Sequence, residues 1–138
     1  MVIIDETHIP SSIHILIVDD VQDMRDQLKK DLLRMGFEGN FLEAENVEQA
    51  LVKVLDPRVA FVLSDWNMPD GTGLRFLTGM RRTGALDTIP FVMITTEDGV
   101  SHMLEAIRSG ADQYLVKPWS YEDLRSKIAF AWDKRIKK

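Results

Sequence analysis

The sequence predicts an α/β fold: a three-layer sandwich with a five-stranded parallel sheet and five helices. Three observations predict it. Five short apolar runs recur along the chain: IHILIV (13–18), FLEA (41–44), VAFVL (59–63), FVMIT (91–95) and QYLV (113–116). Three of them are nearly continuous in Ile, Val, Leu, Met and Phe, as strands covered on both faces must be. Segments with apolar residues three and four apart separate the runs, and strands alternating with helices give a parallel sheet with right-handed crossovers.

Taken in order, residues 1–12 read as a short extension, with Pro10 and two serines marking the join to a single domain over 13–138. The first strand is followed by a helix on which Val21, Met24, Leu28, Leu32 and Met35 recur at helical spacing and Gly36 stops the run. The second strand is interrupted by Glu43, which suits a sheet edge. The second helix opens at Asn46, a good cap with Gln49 three residues on; Leu51, Val54 and Leu55 are expected to face inward, and Pro57 ends it. After the third strand, a helix follows Gly73 with Leu74, Leu77 and Met80. The fourth helix carries Met103, Leu104 and Ile107 at helical spacing and is expected to end at Gly110. The fifth run is short and is read as the other edge. The last helix opens at Ser120 with Asp123 three residues on, and carries Leu124, Ile128, Ala131 and Trp132. Its basic end, Lys134, Arg135, Lys137 and Lys138, complements the negative pole of the helix.

Composition narrows the function. The net charge of −5 argues against direct nucleic-acid binding, which favours a basic face. There are no cysteines, hence no disulfide framework, thiolate metal site or thiol nucleophile. The start MVIIDETHIPSS lacks the basic, then apolar, order of a signal peptide. No run approaches the roughly 20 apolar residues needed to span a bilayer. A cytoplasmic location with no membrane insertion is expected. His8, His14 and His102 are scattered without metal-ligand spacing, and His102 is expected at the surface.

In an open parallel sheet, ligands bind beyond the carboxyl ends of the strands. Asp19 and Asp20 follow the first strand, Asp65 the third, Thr95 and Thr96 end the fourth, and Lys117-Pro118 follows the fifth. Three carboxylates brought together resist joint ionisation, and a divalent cation relieves them. Mg²⁺ suits this set because it binds a few carboxylate oxygens, keeps waters and leaves room for a phosphate oxygen. A carboxylate not fully engaged by the metal can attack phosphorus. The remaining demand is to neutralise the phosphoryl oxygens, a task for Mg²⁺, Lys117, and Thr95 with backbone N–H groups. Met68, Pro69 and the two following glycines form a turn that keeps the backbone near this place. Each element alone has a plainer reading: a helix cap, a turn former, a buried threonine, a surface lysine. Their convergence on one sheet edge is what points to phosphate chemistry.

The stretches ILIVDD, LSDWNMPDGTGL, FVMITTED and GADQYLVKPWS, in that order over roughly residues 13 to 133, resemble the receiver domain of two-component response regulators, in particular its CheY-like members. The resemblance implies the flavodoxin-like strand order 2-1-3-4-5, which agrees with the two edge strands read above. It implies that Asp65 is phosphorylated by a sensor histidine kinase. Asp20 would be the main acidic Mg²⁺ ligand, with Asp19 acting through water and Asn67 through its backbone carbonyl. Lys117 would pair with the phosphate, and its bond to Pro118 would be cis. Thr95 would be the switch hydroxyl and Tyr114 the aromatic that turns inward with it. Asn67 and Glu97 would tune dephosphorylation. The surface of the fourth helix, fifth strand and fifth helix would then engage a downstream target protein, with the flagellar motor switch as the chemotactic example. Such a protein catalyses only its own phosphorylation and dephosphorylation.

Two positions depart from the pattern. Thr72 stands where an aspartate is usual, which is expected to change hydrogen bonds within the loop. Trp119 replaces a phenylalanine and is expected to cover core or to present an aromatic anchor. Residues 1–12 lie outside the pattern. A receiver cut from a longer regulator, with a DNA-binding or enzymatic output, is an open alternative. A haloacid-dehalogenase-like phosphatase would carry its nucleophile in an Asp-x-Asp after the first strand, which this chain lacks. A flavodoxin-like electron carrier would need a hydroxyl- and glycine-rich loop where DDVQDM stands.

Overall fold

Strand β3 (His14–Val18) explains the layering. Successive side chains point to opposite faces of a strand. Leu16 and Val18 enter one apolar cluster, while Ile15 and Ile17 enter the other. A strand buried on both faces must be apolar throughout, which is why this run reads as continuous. The computed structural model describes residues 1–96 and 100–136.

The central sheet contains β4 (Phe41–Ala44), β3, β5 (Val59–Asp65), β8 (Phe91–Thr95) and β9 (Gln113–Val116), in the spatial order β4-β3-β5-β8-β9 and all parallel. This is the expected 2-1-3-4-5 order, with both edges where the sequence put them. Five helices lie on its faces: α1 (Gln22–Met35), α2 (Val47–Lys53), α3 (Gly73–Arg82), α4 (Val100–Arg108) and α5 (Tyr121–Ile136). One cluster joins the sheet to α2, α3 and α4 through residues such as Ala50, Phe76, Leu77 and Ala106. The other joins it to α1 and α5 through Leu28, Leu32, Leu124 and Ile128.

Local signals set the helix ends. Gly36 adopts φ 112°, and its N–H and that of Phe37 bond back to Leu33 and Leu32. Asn46 accepts a hydrogen bond from the Gln49 N–H at 2.8 Å, and Ser120 Oγ accepts one from the Asp123 N–H at 3.0 Å. Glu43, the charge in the edge strand, pairs with Arg25 at 3.0 Å and Lys29 at 3.1 Å of α1. Lys137 and Lys138 lie outside the described residues.

The expected inward face of α2 is corrected at Leu55, and the apolar patterns of the first and fourth helices also include exposed residues. Leu55 is exposed, because α2 ends at Lys53 and the chain turns before it; Val47 and Ala50 bury instead. Val21 is also exposed, since it precedes α1 as its cap residue. On α4, Met103, Leu104 and Ile107 point to solvent and Ala106 is the buried residue. Apolar spacing identifies a stripe on a helix, but it does not say whether the stripe meets the core or a partner.

Residues 1–12, which the sequence leaves as an extension, contain a hairpin. β1 (Val2–Ile4) pairs antiparallel with β2 (Thr7–Ile9) across a turn in which Asp5 adopts φ 52°. Val2, Ile4 and Ile9 are buried in the α1–α5 cluster. Thr7 Oγ1 donates to Asp133 Oδ2 of α5 at 2.6 Å.

Candidate functional site

The carboxyl ends of β3 and β5 and the loop after β9 meet at one place. Asp19, Asp20 and Asp65 each present a carboxylate oxygen, and these oxygens lie within 4.8 Å of one another. Lys117 Nζ stands 3.0 Å from Asp19 Oδ2 and 3.0 Å from Asp65 Oδ1. Asp19 and Asp65 are buried, whereas Asp20 is exposed. The parallel register makes this meeting unavoidable: Val18 pairs with Ser64, so Asp19 and Asp65 leave neighbouring strands at the same level.

Each group is held from behind. Asp19 Oδ1 accepts from the Val21 N–H at 2.9 Å, and its carbonyl accepts from buried Arg25 at 2.7 Å. The backbone of the residue after Asp65 is fixed on both sides, since the Trp66 N–H donates to Ile94 O at 2.8 Å and Trp66 O accepts from the Gly73 N–H at 2.7 Å. Gly73 has no substitute here, because a Cβ at that position would press on the Asp65 carbonyl oxygen and lie 2.9 Å from Met93 Sδ. Short strands β6 (Asn67–Met68) and β7 (Gly71–Thr72) form the turn above the site. Thr72 caps α3 by accepting from the Arg75 N–H at 3.2 Å, a role its hydroxyl performs as an aspartate would. Asp70 accepts from the N–H groups of Val47 and Glu48 and ties this turn to α2.

The electrostatics are unbalanced. Burial and the neighbouring Asp19 carboxylate push the Asp65 pKa up to about 6, against the pull of Lys117. Burial lowers the Lys117 ammonium, but the Asp65 and Asp19 carboxylates more than offset this and leave it raised. Three carboxylates facing one ammonium form an all-oxygen donor set with excess negative charge, and this fits a hard divalent cation.

Of the residues singled out in the sequence, Asp19, Asp20, Asp65 and Lys117 are brought together. Thr95 is fully buried at the end of the neighbouring strand, and Asn67 is exposed on the turn. Tyr114 is buried, turned into the cluster beneath α3 and α4. The Lys117–Pro118 bond is cis. Glu97 lies outside the described residues. Trp119 packs against the α1–α5 cluster, and its Nε1 donates to buried Asp31 at 2.9 Å. It also lines a cleft of about 460 Å³ with Met24, Gln27, Thr96, Lys117 and Pro118, beside the carboxylates.

Three residues have contacts at the site that the sequence does not show. Arg25 carries no signal in the sequence, and the fold places its guanidinium on the Asp19 carbonyl. Gly73 carried a signal, a second glycine two residues after the first, but not its contact. His102, expected at the surface, is half-buried and stacks on Trp66 with ring centroids 4.7 Å apart and planes 24° apart.

Comparisons with known proteins agree with this geometry. Residues 15–129 match the response regulator receiver domain. The chemotaxis protein CheY1 of Helicobacter pylori is 37% identical over 117 residues, covering 83% of this chain and 92% of that protein. The CheY homolog of Campylobacter jejuni is 35% identical over 117 residues, covering 83% and 88%. Among solved structures, CheY4 of Vibrio cholerae superposes with a TM-score of 0.78 at 30% identity, covering 87% of this chain and 98% of that one. Sheet order, carboxylate cluster and sequence match converge, and the chain belongs to the response regulator receiver family of phosphorylation-activated switches.

Proposed function

We propose that Asp65 accepts a phosphoryl group from a sensor histidine kinase and that the surface of α4, β9 and α5 passes the change to a target protein. The observation that carries this reading is the placement of Lys117 Nζ, 3.0 Å from both Asp65 and Asp19, with Asp20 completing the carboxylate group. An Asp65 oxygen attacks phosphorus, the new O–P bond forms as the donor's P–N bond breaks, and the electron pair stays on the donor nitrogen. Lys117 pairs with one phosphoryl oxygen and Thr95 with another. Asp20, Asp65 and the Asn67 carbonyl would hold Mg²⁺ directly, with Asp19 acting through water. When bound, the ion neutralises charge on the transferring group. Asn67 and Glu97 would tune the return step, in which water attacks phosphorus and the Asp65 carboxylate is restored. The chain would catalyse these two self-directed steps and no other.

The added charge draws Thr95 and Lys117 toward the phosphoryl group, and Tyr114 occupies the space that Thr95 leaves. Phosphate thereby favours one of two packings. The buried Tyr114 ring corresponds to the inward packing. The outward display of Val100, Met103, Leu104 and Ile107 on α4, with Phe130 exposed on α5, suits a partner surface. The chemotaxis proteins among the relatives support a chemotactic target, with the flagellar motor switch the specific candidate. No helix among the described residues is long and apolar enough to cross a membrane, and we place the chain in the cytoplasm with its kinase. The test is intact-mass measurement after incubation with acetyl phosphate and Mg²⁺, then affinity capture with and without beryllofluoride. A single phosphoryl adduct on Asp65 and capture that depends on beryllofluoride are expected. An unmodified mass in folded protein refutes the reading.

A further inference from the structure

We propose that His102 is a positioning residue, which couples the backbone carrying Asp65 to α4 by stacking on Trp66; the inference rests on the switch function proposed above. Trp66 directly follows Asp65, and hydrogen bonds to Ile94 and from Gly73 pin its backbone on both sides. Its ring is buried. The His102 imidazole lies on that ring at 4.7 Å, nearly parallel to it.

His102 sits one helical turn before Ala106, and residues four apart share a helix face. Ala106 is fully buried, whereas Val100, Met103, Leu104 and Ile107 all point outward. So α4 meets the sheet through a methyl group at its centre and an aromatic stack nearer its N-terminus. A helix with so little buried apolar surface is weakly held, and any single anchor has leverage on its position. This anchor attaches to the residue beside the phosphoryl acceptor. It offers a route from Asp65 to α4 that is separate from the one through Thr95 and Tyr114.

The stack exists here together with the inward Tyr114 ring, the packing that phosphate favours in the proposed switch. Removing it penalises that packing, and by linkage weakens whatever ligand selects it. An aromatic pair of this kind shifts an equilibrium by roughly 3- to 10-fold.

The protein holds three tryptophans. Replacing Trp119 and Trp132 with phenylalanine leaves Trp66 as the sole tryptophan, and its emission, excited at about 295 nm to avoid the two tyrosines, is followed as beryllofluoride is added in the presence of Mg²⁺. His102→Ala and His102→Gln in this background are expected to raise the half-saturating beryllofluoride concentration roughly 3- to 10-fold, and His102→Phe to restore it. Gln keeps the side-chain size and guards against loss of fold in the alanine variant. A merely structural histidine would lower Tm without moving the half-saturation point. Half-saturation unchanged in both Ala and Gln variants, or not restored by Phe, overturns the coupling while leaving the switch intact. A reference protein that gives no response to beryllofluoride overturns the switch reading itself, and the coupling with it.

Discussion

Replacing Asp65 with asparagine should stabilise the metal-free fold at neutral pH while abolishing phosphoryl acceptance. Burial, and then the adjacent Asp19 carboxylate, raise the Asp65 carboxyl from 3.8 to about 6. A folded-state pKa above the unfolded one means that the native protein holds the proton more tightly. The stability this contributes is fully present below about pH 4 and is lost as pH rises through about 6. At pH 7.5 the ionised carboxylate is a net cost to the native state. A rise of this size corresponds to at most about 3 kcal/mol. Asp65 lies at the carboxyl end of the central strand next to exposed Asp20, so water screens part of this. A gain of roughly 1–3 kcal/mol, or about 3–10 °C in Tm, is the working figure. Asparagine keeps an oxygen that can accept from Lys117, so the substitution removes charge and little else. The assay is thermal unfolding in a chelator at pH 4 and pH 7.5. The variant should lead at pH 7.5 and match the parent at pH 4. Added Mg²⁺ should narrow the gap by binding the parent's native state. A variant less stable than its parent at pH 7.5, or a gap that does not depend on pH, would refute the account of a charge-crowded site.

Other outcomes follow from the same structure. Thr95→Ala should still be labelled by acetyl phosphate but lose most of the beryllofluoride-dependent capture of a target; capture at parental strength would break the Thr95–Tyr114 link. Gly73→Ala should abolish labelling even where the protein still folds, because the added methyl must displace the Asp65 carbonyl; mass spectrometry with circular dichroism separates the two effects. Asp112→Asn should cost about 3–5 kcal/mol in denaturant unfolding, since Arg81 and Arg135 both pair with this buried carboxylate at 3.2 and 2.8 Å. Ile9→Ala should cost about 2–5 kcal/mol, since the side chain is fully buried, and a negligible change would show that the hairpin is a detachable appendage.

The strands and the site were legible because both depend on local patterns. A strand buried on two faces must be apolar throughout, and a parallel sheet brings the residues after its strands to one edge. The positions of Asp19, Asp20, Asp65, Thr95 and Lys117 needed nothing more. The α4 surface was not legible, since Met103, Leu104 and Ile107 have the spacing of a core stripe and the deciding fact is what lies opposite. The hairpin was missed because acids interrupt Val2, Ile3 and Ile4 from Ile9, and a three-residue strand carries almost no periodicity. Arg25 and Asp112 were illegible for a third reason. A buried charge is recognisable only with its partners, and those partners are 18 and 23 residues away in Glu43 and Arg135.

The two ends of the sheet handle charge in opposite ways, and the contrast bears on function. Where β8 and β9 begin, the Asp112 carboxylate accepts from Arg81, Arg135 and the Phe91 N–H. The same two guanidiniums also donate to the Gly110 carbonyl and tie α3 and α5 to the loop before β9. Here the two guanidiniums are matched by the Asp112 and Asp87 carboxylates. Where β3 and β5 end, three carboxylates cluster, Lys117 pairs with two of them, and one of those has its pKa raised. A fold selected for stability alone would place more cations at this second end or remove an acid. Instead the deficit sits beside α4, a helix that buries little more than Ala106. A metal ion can correct the charge and a phosphoryl group alters it again, and the Trp66–His102 stack leads from there to the α-helix that buries the fewest side chains among the described residues. Charge imbalance and weak anchoring are each ordinary faults. Placed side by side, with Trp66 and His102 stacked between them, they make a state that ligand binding can change.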